Sequence, residues 1–249
     1  KQSAMNWNEV LIRCSSLGAL MTEPKDKASK EAGELSKTAK THLKSIYIRE
    51  KYGRQKDVIT KQMQKGLDVE EESITLLSRV QKKMLYKNEE RLSNGYITGL
   101  PDIFEGDNIR NAKSITDIKS SYDLFSFLGN IGEPLDRDYY YQLQGYMALS
   151  GAQVAYIAYC LVNTPQNIID GEKYRLLKSM DVISEESPEF IKEALKIEKN
   201  LIFDDIPKEE RVLIFKVERD DEIIEKVNLT VLKARSYLAE FEQTHLNFN

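Results

Sequence analysis

Cysteine is nearly absent: the 249 residues hold two, Cys14 and Cys160. That is too few for a disulfide framework, a four-cysteine zinc site or a cysteine-ligated iron–sulfur cluster, and the plain reading is two buried thiols. Histidine is as scarce, with His42 and His245 alone, so a zinc hydrolase is poorly supported. No apolar run approaches the ~18 residues needed to cross a bilayer. The opening Lys1-Gln2-Ser3-Ala4-Met5 lacks the apolar core of a secretory signal, and the expectation is a soluble, cytoplasmic protein. No internal repeat or low-complexity tract is visible. What is present is 41% hydrophobic and 31% charged residues, enough for a large core in one elaborated domain or two small ones.

The formal charge of −4 argues, on its face, against a nucleic-acid partner. The sum hides a polarity. Lys25 to Lys65 carries twelve Lys/Arg against five Asp/Glu, whereas Asp181 to Lys226 carries fifteen acids against eight bases. A basic surface able to hold a polyanion is compatible with an acidic total when the two occupy different faces. Two solvated helix faces would give the same count.

The pattern along the chain is mixed. A serine in Arg13-Cys14-Ser15-Ser16 can cap a short apolar helix that Glu23-Pro24 ends. From Ala28 to Leu92 the Lys/Glu/Ala/Leu/Gln-rich composition predicts two or three helices broken at Gly53 and Gly66. After the turn signal Ser93-Asn94-Gly95, residues 96–104 read as a strand, Glu105 to Asn108 as a turn and 114–120 as a second strand, most simply a hairpin. Asp136 to Ser150 reads as a helix closed by Gly151. Ala152 to Val162 is a near-continuous apolar run suited to a central strand covered on both faces. An acidic helix over 185–200, a strand over 211–217 and an amphipathic helix over 222–243 follow. This order describes a mixed α/β (α+β) domain with a central mixed β-sheet flanked by helices. It is read as one domain over 1–249, with a helical part to 92, a core over 93–165 and a completing part from 166.

Three features gain meaning together: Asp102 at the end of one strand, Asp117-Ile118-Lys119 on the next, and Glu70-Glu71-Glu72 on the preceding helix. An acid two residues before a lysine arises roughly four times by chance in a chain of this composition, so that triplet alone carries little. Strand alternation, however, points Asp117 and Lys119 the same way, and a neighbouring strand can bring Asp102 beside them. Two carboxylates converging on one sheet face call for a cation, and all-oxygen ligation suits Mg²⁺ or Mn²⁺. A helical carboxylate would complete the cage, and Lys119 would orient or help deprotonate a metal-bound water. That is equipment for phosphodiester hydrolysis.

Gly99-Leu100-Pro101-Asp102, then Asp117-Ile118-Lys119, then Gln142-Leu143-Gln144-Gly145-Tyr146 resemble the PD-(D/E)xK nuclease superfamily, the last motif being the Gln-x-x-x-Tyr signature of its RecB-like branch. Gln142 and Tyr146 share a helix face. Within that branch, Arg13-Cys14-Ser15-Ser16 and Gly66-Leu67-Asp68-Val69-Glu70 resemble the phage lambda exonuclease and YqaJ-type viral recombinase group, over about Arg13 to Pro165. The resemblance implies a restriction-endonuclease-like core in which Asp102, Asp117 and the Ile118 carbonyl bind Mg²⁺, with Mn²⁺ able to substitute. Glu70 would be the helical acid, with Glu71 and Glu72 as alternatives, and Lys119 the catalytic lysine. Gln142 would contact the lysine region or the DNA backbone, and Tyr146 would place the helix or the substrate, or simply pack. Arg13 and Ser15 would hold a terminal 5′-phosphate.

The group often has a Thr/Ser-Ala-Ser stretch where this chain has Leu17-Gly18-Ala19-Leu20, which leaves the phosphate pocket less defined than the metal site. Tyr139-Tyr140-Tyr141 would stack on bases of a frayed end or pack on the sheet. The implied activity is Mg²⁺-dependent exonucleolytic hydrolysis of duplex DNA ends, 5′ to 3′, in phage-type recombination. By resemblance it implies a ring trimer, a single-strand annealing partner and a bacterial host cytoplasm. The alternatives are a structure-selective endonuclease, a CRISPR-adaptation-like RecB-type nuclease, disfavoured by having two cysteines rather than four, and a non-catalytic DNA-binding module.

Overall fold

Helices open the chain where helix formers and caps dictate them, in a computed structural model that describes residues 5–56, 59–180 and 184–246. Residues Lys1 to Ala4 of the opening, and Asp181, lie outside the described residues. Strand β1 (Ile12–Arg13) leads into a 3₁₀ turn over Cys14–Ser16 and helix α1 (Leu17–Leu20). The expected serine cap is not made: Ser16 lies at the N-cap without a side-chain cap bond, because the 3₁₀ turn already runs into the helix. Helices α2 (Lys27–Glu31), α3 (Lys37–Tyr52), α4 (Lys61–Asp68) and α5 (Glu70–Gln81) follow. Ser36 caps α3 by accepting from the Ala39 amide, and Gly53 ends it at φ 62°, a left-handed turn that glycine enters without strain. Gly66, in contrast, sits inside α4; the break to α5 falls at Val69, whose ψ of 19° takes it off the helical path.

The single strand predicted for 96–104 is two strands in two sheets. Strands β2 (Leu92–Ser93) and β3 (Ile97–Gly99) form a small hairpin, with β1 parallel on the far side of β3. Pro101, which has no amide to donate, sits in the crossover to β4 (Ile103–Glu105). There the expected hairpin with β5 (Ser114–Ser120) is found, Ile103 opposite Thr116. The second sheet has the order β4-β5-β6-β7, with β6 (Val154–Cys160) parallel to β5 and antiparallel to β7 (Val212–Glu218). The apolar run is thus an interior strand, as its composition requires.

Helix α6 (Leu124–Leu128) precedes α7 (Arg137–Ser150), which Asp136 caps and Gly151 closes at φ 78°. Helix α8 (Gln166–Ser179) was not expected; α9 (Pro188–Leu201) and α10 (Asp221–Leu246) were, within a few residues. Alternation sorts the four-stranded sheet. Ile115, Ile157 and Tyr159 face the larger core with Leu143 and Met147 of α7, whereas Ile118, Ala158 and Cys160 join Leu76 and Leu77 of α5. The sheet is therefore sandwiched, and each fully buried Ile or Leu adds roughly 1.5–3 kcal/mol. The larger core runs from Trp7 to Leu238, and α10 lies against α3 and the first turn, so the two ends of the chain share it. Among the described residues no helix is long and apolar enough to cross a membrane.

Candidate active site

The α7 face of β5 carries Asp117 and Lys119, two residues apart and so on the same side. Asp102 reaches them from the crossover. The β4–β5 register would set Pro101 opposite Ile118, and there the Asp102 carboxylate accepts the Ile118 amide at 2.7 Å. Asn88 pins the crossover, its side chain donating to the Pro101 carbonyl (2.9 Å) and its amide to that of Asp102 (2.7 Å). A cavity of about 710 Å³ opens over Asp102, Asp117 and Lys119, with Glu70, Gln142, Tyr139 and Tyr146 on its walls.

Helix α7 holds the site from behind. Gln142 and Tyr146 share a face as their spacing requires, and Gln142 donates to both the Tyr146 hydroxyl (2.8 Å) and Asp117 Oδ1 (3.3 Å). The Tyr146 hydroxyl donates in turn to the Leu100 carbonyl at 3.3 Å. One chain of hydrogen bonds thus ties β5 to the segment that presents Asp102. Both side chains are buried, at 8% and 5% exposure; Gln142 meets the Asp117 carboxylate beside the lysine, and Tyr146 packs behind it. Gly99 makes room for it: a Cβ there would stand 2.6 Å from Tyr146 Cε1.

Asp117 is 2% exposed, and its Oδ2 lies 2.5 Å from Lys119 Nζ. Burial works against the charged amine, yet the Asp117 charge and hydrogen bond outweigh it and hold Lys119 above the ordinary lysine range. Paired with Asp117, the Lys119 ammonium is suited to stabilising negative charge. Asp102 moves the other way. Burial first, and then the Asp117 charge, push it up to about 7, with the Ile118 amide and Lys119 offsetting only part.

Of the three consecutive acids, Glu70 faces this cavity, while Glu71 and Glu72 line a separate cavity of about 1030 Å³ on the other side of α5. Glu70 is held by Lys87 at 3.1 Å. Among the described residues no three carboxylate, imidazole or thiol side chains come together as a ready-made metal cage. What converges is the buried Asp117, the half-buried Asp102 and the backbone of Ile118; carboxylate oxygens are the donors that suit a hard divalent cation. Because such an ion needs both carboxylates ionised, its binding is coupled to the Asp102 proton. The raised Asp102 pKa favours the folded state at acid pH, and that contribution is lost as pH rises through about 7. A divalent cation held by both carboxylates would accordingly raise the melting temperature more at pH 8 than at pH 6; equal increments in thermal melts with magnesium would remove the Asp102 linkage.

Arg13 and Ser15 do not join this cavity. Both are exposed, and Arg13 lines another of about 550 Å³ with Arg49 and Glu50. Burial, Arg49 and Arg91 together lower the Arg13 pKa, the mark of a local cluster of guanidinium groups. Both cysteines are buried and free, and burial pushes the Cys160 thiol up to about 12.

Two lysines near the site escaped sequence reasoning. Lys87 lies in an irregular stretch without periodicity. Lys65 was counted in the basic run but is fully buried, its amine donating to the Tyr122 carbonyl at 3.0 Å between the Tyr122 and Phe203 rings.

No protein-family model matches the sequence, nor does any curated protein. Solved structures do. A phage related exonuclease from Haemophilus somnus 129PT is 30% identical, with a TM-score of 0.73, over 95% of this chain and 97% of its own. An alkaline exonuclease from Laribacter hongkongensis matches at 14% identity and a TM-score of 0.60, covering 98% of both chains. The same enzyme in complex with dAMP matches at 14% identity and a TM-score of 0.60, over 96% of this chain and 95% of its own. These two show the shared fold.

Proposed function

This chain belongs to the phage-related exonucleases, a lambda-exonuclease-like group of PD-(D/E)xK nucleases, and from that premise we propose that it degrades duplex DNA from its ends, 5′ to 3′, with Mg²⁺. The observation that carries the proposal is the Asp102 and Asp117 pair opening into one cavity beside an ion-paired Lys119. Asp102, Asp117 and the Ile118 carbonyl would hold Mg²⁺, or Mn²⁺ in its place. Glu70 would join them once released by Lys87. When bound, the ion supplies an activated water and neutralises charge on the phosphoryl oxygens.

The remaining work falls to the side chains. Lys119, kept charged by Asp117, points a preformed ammonium at the cavity, where it can stabilise the charge that grows on the scissile phosphate. Gln142 fixes Asp117 so that this ion pair keeps one geometry. Tyr146 couples that carboxylate to the Asp102 segment through Leu100. Arg13 and Ser15 would grip the terminal phosphate from outside the cavity, and the neighbouring Arg49 and Arg91 would add positive potential for the backbone. Phage-type recombination, a ring trimer and a single-strand annealing partner rest on family membership alone, and a monomer by sedimentation would remove the ring.

Linear and closed circular duplex DNA, each with Mg²⁺ or EDTA, test the reading together. Hydrolysis of linear DNA alone, and only with Mg²⁺, is the expected result. Cutting of both forms would make the protein an endonuclease; no hydrolysis with any divalent ion would make it a binding module.

A further inference from the structure

Lys119 has a second partner that no motif marks. Its Nζ stands 4.6 Å from the centroid of the Tyr139 ring, on the first turn of α7. Tyr139 meets Tyr159 edge-on, centroids 6.3 Å apart, and Tyr159 meets Phe215 likewise at 5.6 Å. Tyr159 is the register partner of Lys119 on β6, so this row of rings forms the floor beneath the lysine.

A lysine side chain has many rotamers, and a single salt bridge fixes its head but not its stem. The Asp117 carboxylate is also shared, since it accepts from Gln142. A ring face below the ammonium supplies the second hold, because its quadrupole attracts the cation without donating or accepting a proton. It also removes one ring face from contact with DNA bases, which for this tyrosine favours packing on the sheet over stacking on bases, the two readings its sequence left open.

We propose that Tyr139 is a positioning residue that holds the Lys119 ammonium, by its ring face, in the cavity beside Asp117. The proposal rests on the assignment of Lys119 above. Its test is a graded one: Tyr139→Phe, followed by phenylalanines bearing one, two and three fluorines at the same position, which drain the ring face while keeping its shape. Tyr139→Phe is expected to keep kcat within about two-fold, each fluorine to lower it further, and Tyr139→Leu to lower it about ten-fold, with KM for DNA unchanged throughout. In the protein without DNA, the NMR signals of the Lys119 ε-methylene should lie upfield in the wild type and Tyr139→Phe and return toward ordinary values in Tyr139→Leu.

Lys119→Ala, measured in parallel, separates the two claims. Retained hydrolysis in Lys119→Ala would overturn the site reading itself. An inactive Lys119→Ala combined with a kcat indifferent to fluorination, or with an effect on KM alone, would overturn the role of Tyr139 and leave the site standing.

Discussion

Lys119→Ala is expected to lower the hydrolysis of linear duplex DNA by on the order of 10²–10³-fold, the loss that follows removal of one preformed charge-stabilising donor. DNA affinity should stay within about two-fold, because backbone phosphates are gathered mainly by basic side chains outside the cavity, such as Arg13 and Arg49. The variant should also fold, since the lysine side chain keeps 24% exposure and its loss opens toward solvent. One complication has a defined direction: Asp117 then loses its ion pair while Asp102 remains beside it, so the carboxylate pair should hold a proton more firmly. A fluorescence-anisotropy titration beside a nucleotide-release assay separates these effects. Normal turnover in this variant would sink the site assignment.

Gly18→Ala should be the most damaging small substitution, unfolding the protein by about 1–3 kcal/mol or more, as overpacking does. An added Cβ would lie 2.0 Å from Asp138 Oδ1 and 2.5 Å from Asp138 Cα. The carboxylate can rotate away; the Cα cannot, so α1 or the first turn of α7 must move. That turn carries Tyr139, and the helix carries Gln142 and Tyr146, so kcat should fall along with stability. Urea unfolding beside a rate measurement checks both, and wild-type stability would show that α1 yields without cost. The same contact makes the segment Leu17-Gly18-Ala19-Leu20 a close helix crossing onto α7.

The constellation was legible through its resemblance to a known motif set, to which simple periodicities give physical sense. Asp117 and Lys119 alternate with Ile118 on a strand, Gln142 and Tyr146 lie one helical turn apart, and the run from Ala152 to Val162 is apolar enough to be interior. The sheet change at Leu100-Pro101-Asp102 was not legible, since the apolar pattern continues across it while the hydrogen bonding does not. Helix α8 was missed because Gly171 and a polar N-terminal turn blur its period. Gly66 was taken for a break, although a glycine within a helix costs only about 1 kcal/mol against alanine and the neighbouring α4 residues are held by tertiary contacts. The facing of Glu70, as against Glu71 and Glu72, depends on the roll of α5 against the sheet. Nothing in the linear sequence sets that roll.

The acidic total that first argued against nucleic acid is resolved in the same terms. Asp117 is buried in the cavity and Asp102 half-buried beside it, while α9 packs against α8 and balances its three glutamates with three lysines. The most direct measurement is anomalous diffraction from crystals soaked in Mn²⁺. A single strong peak bridging Asp102, Asp117 and the Ile118 carbonyl, lost in Asp117→Asn, is the expected result. A peak elsewhere, or one that survives Asp117→Asn undiminished, would contradict the assignment of these carboxylates as the metal-holding centre of the nuclease.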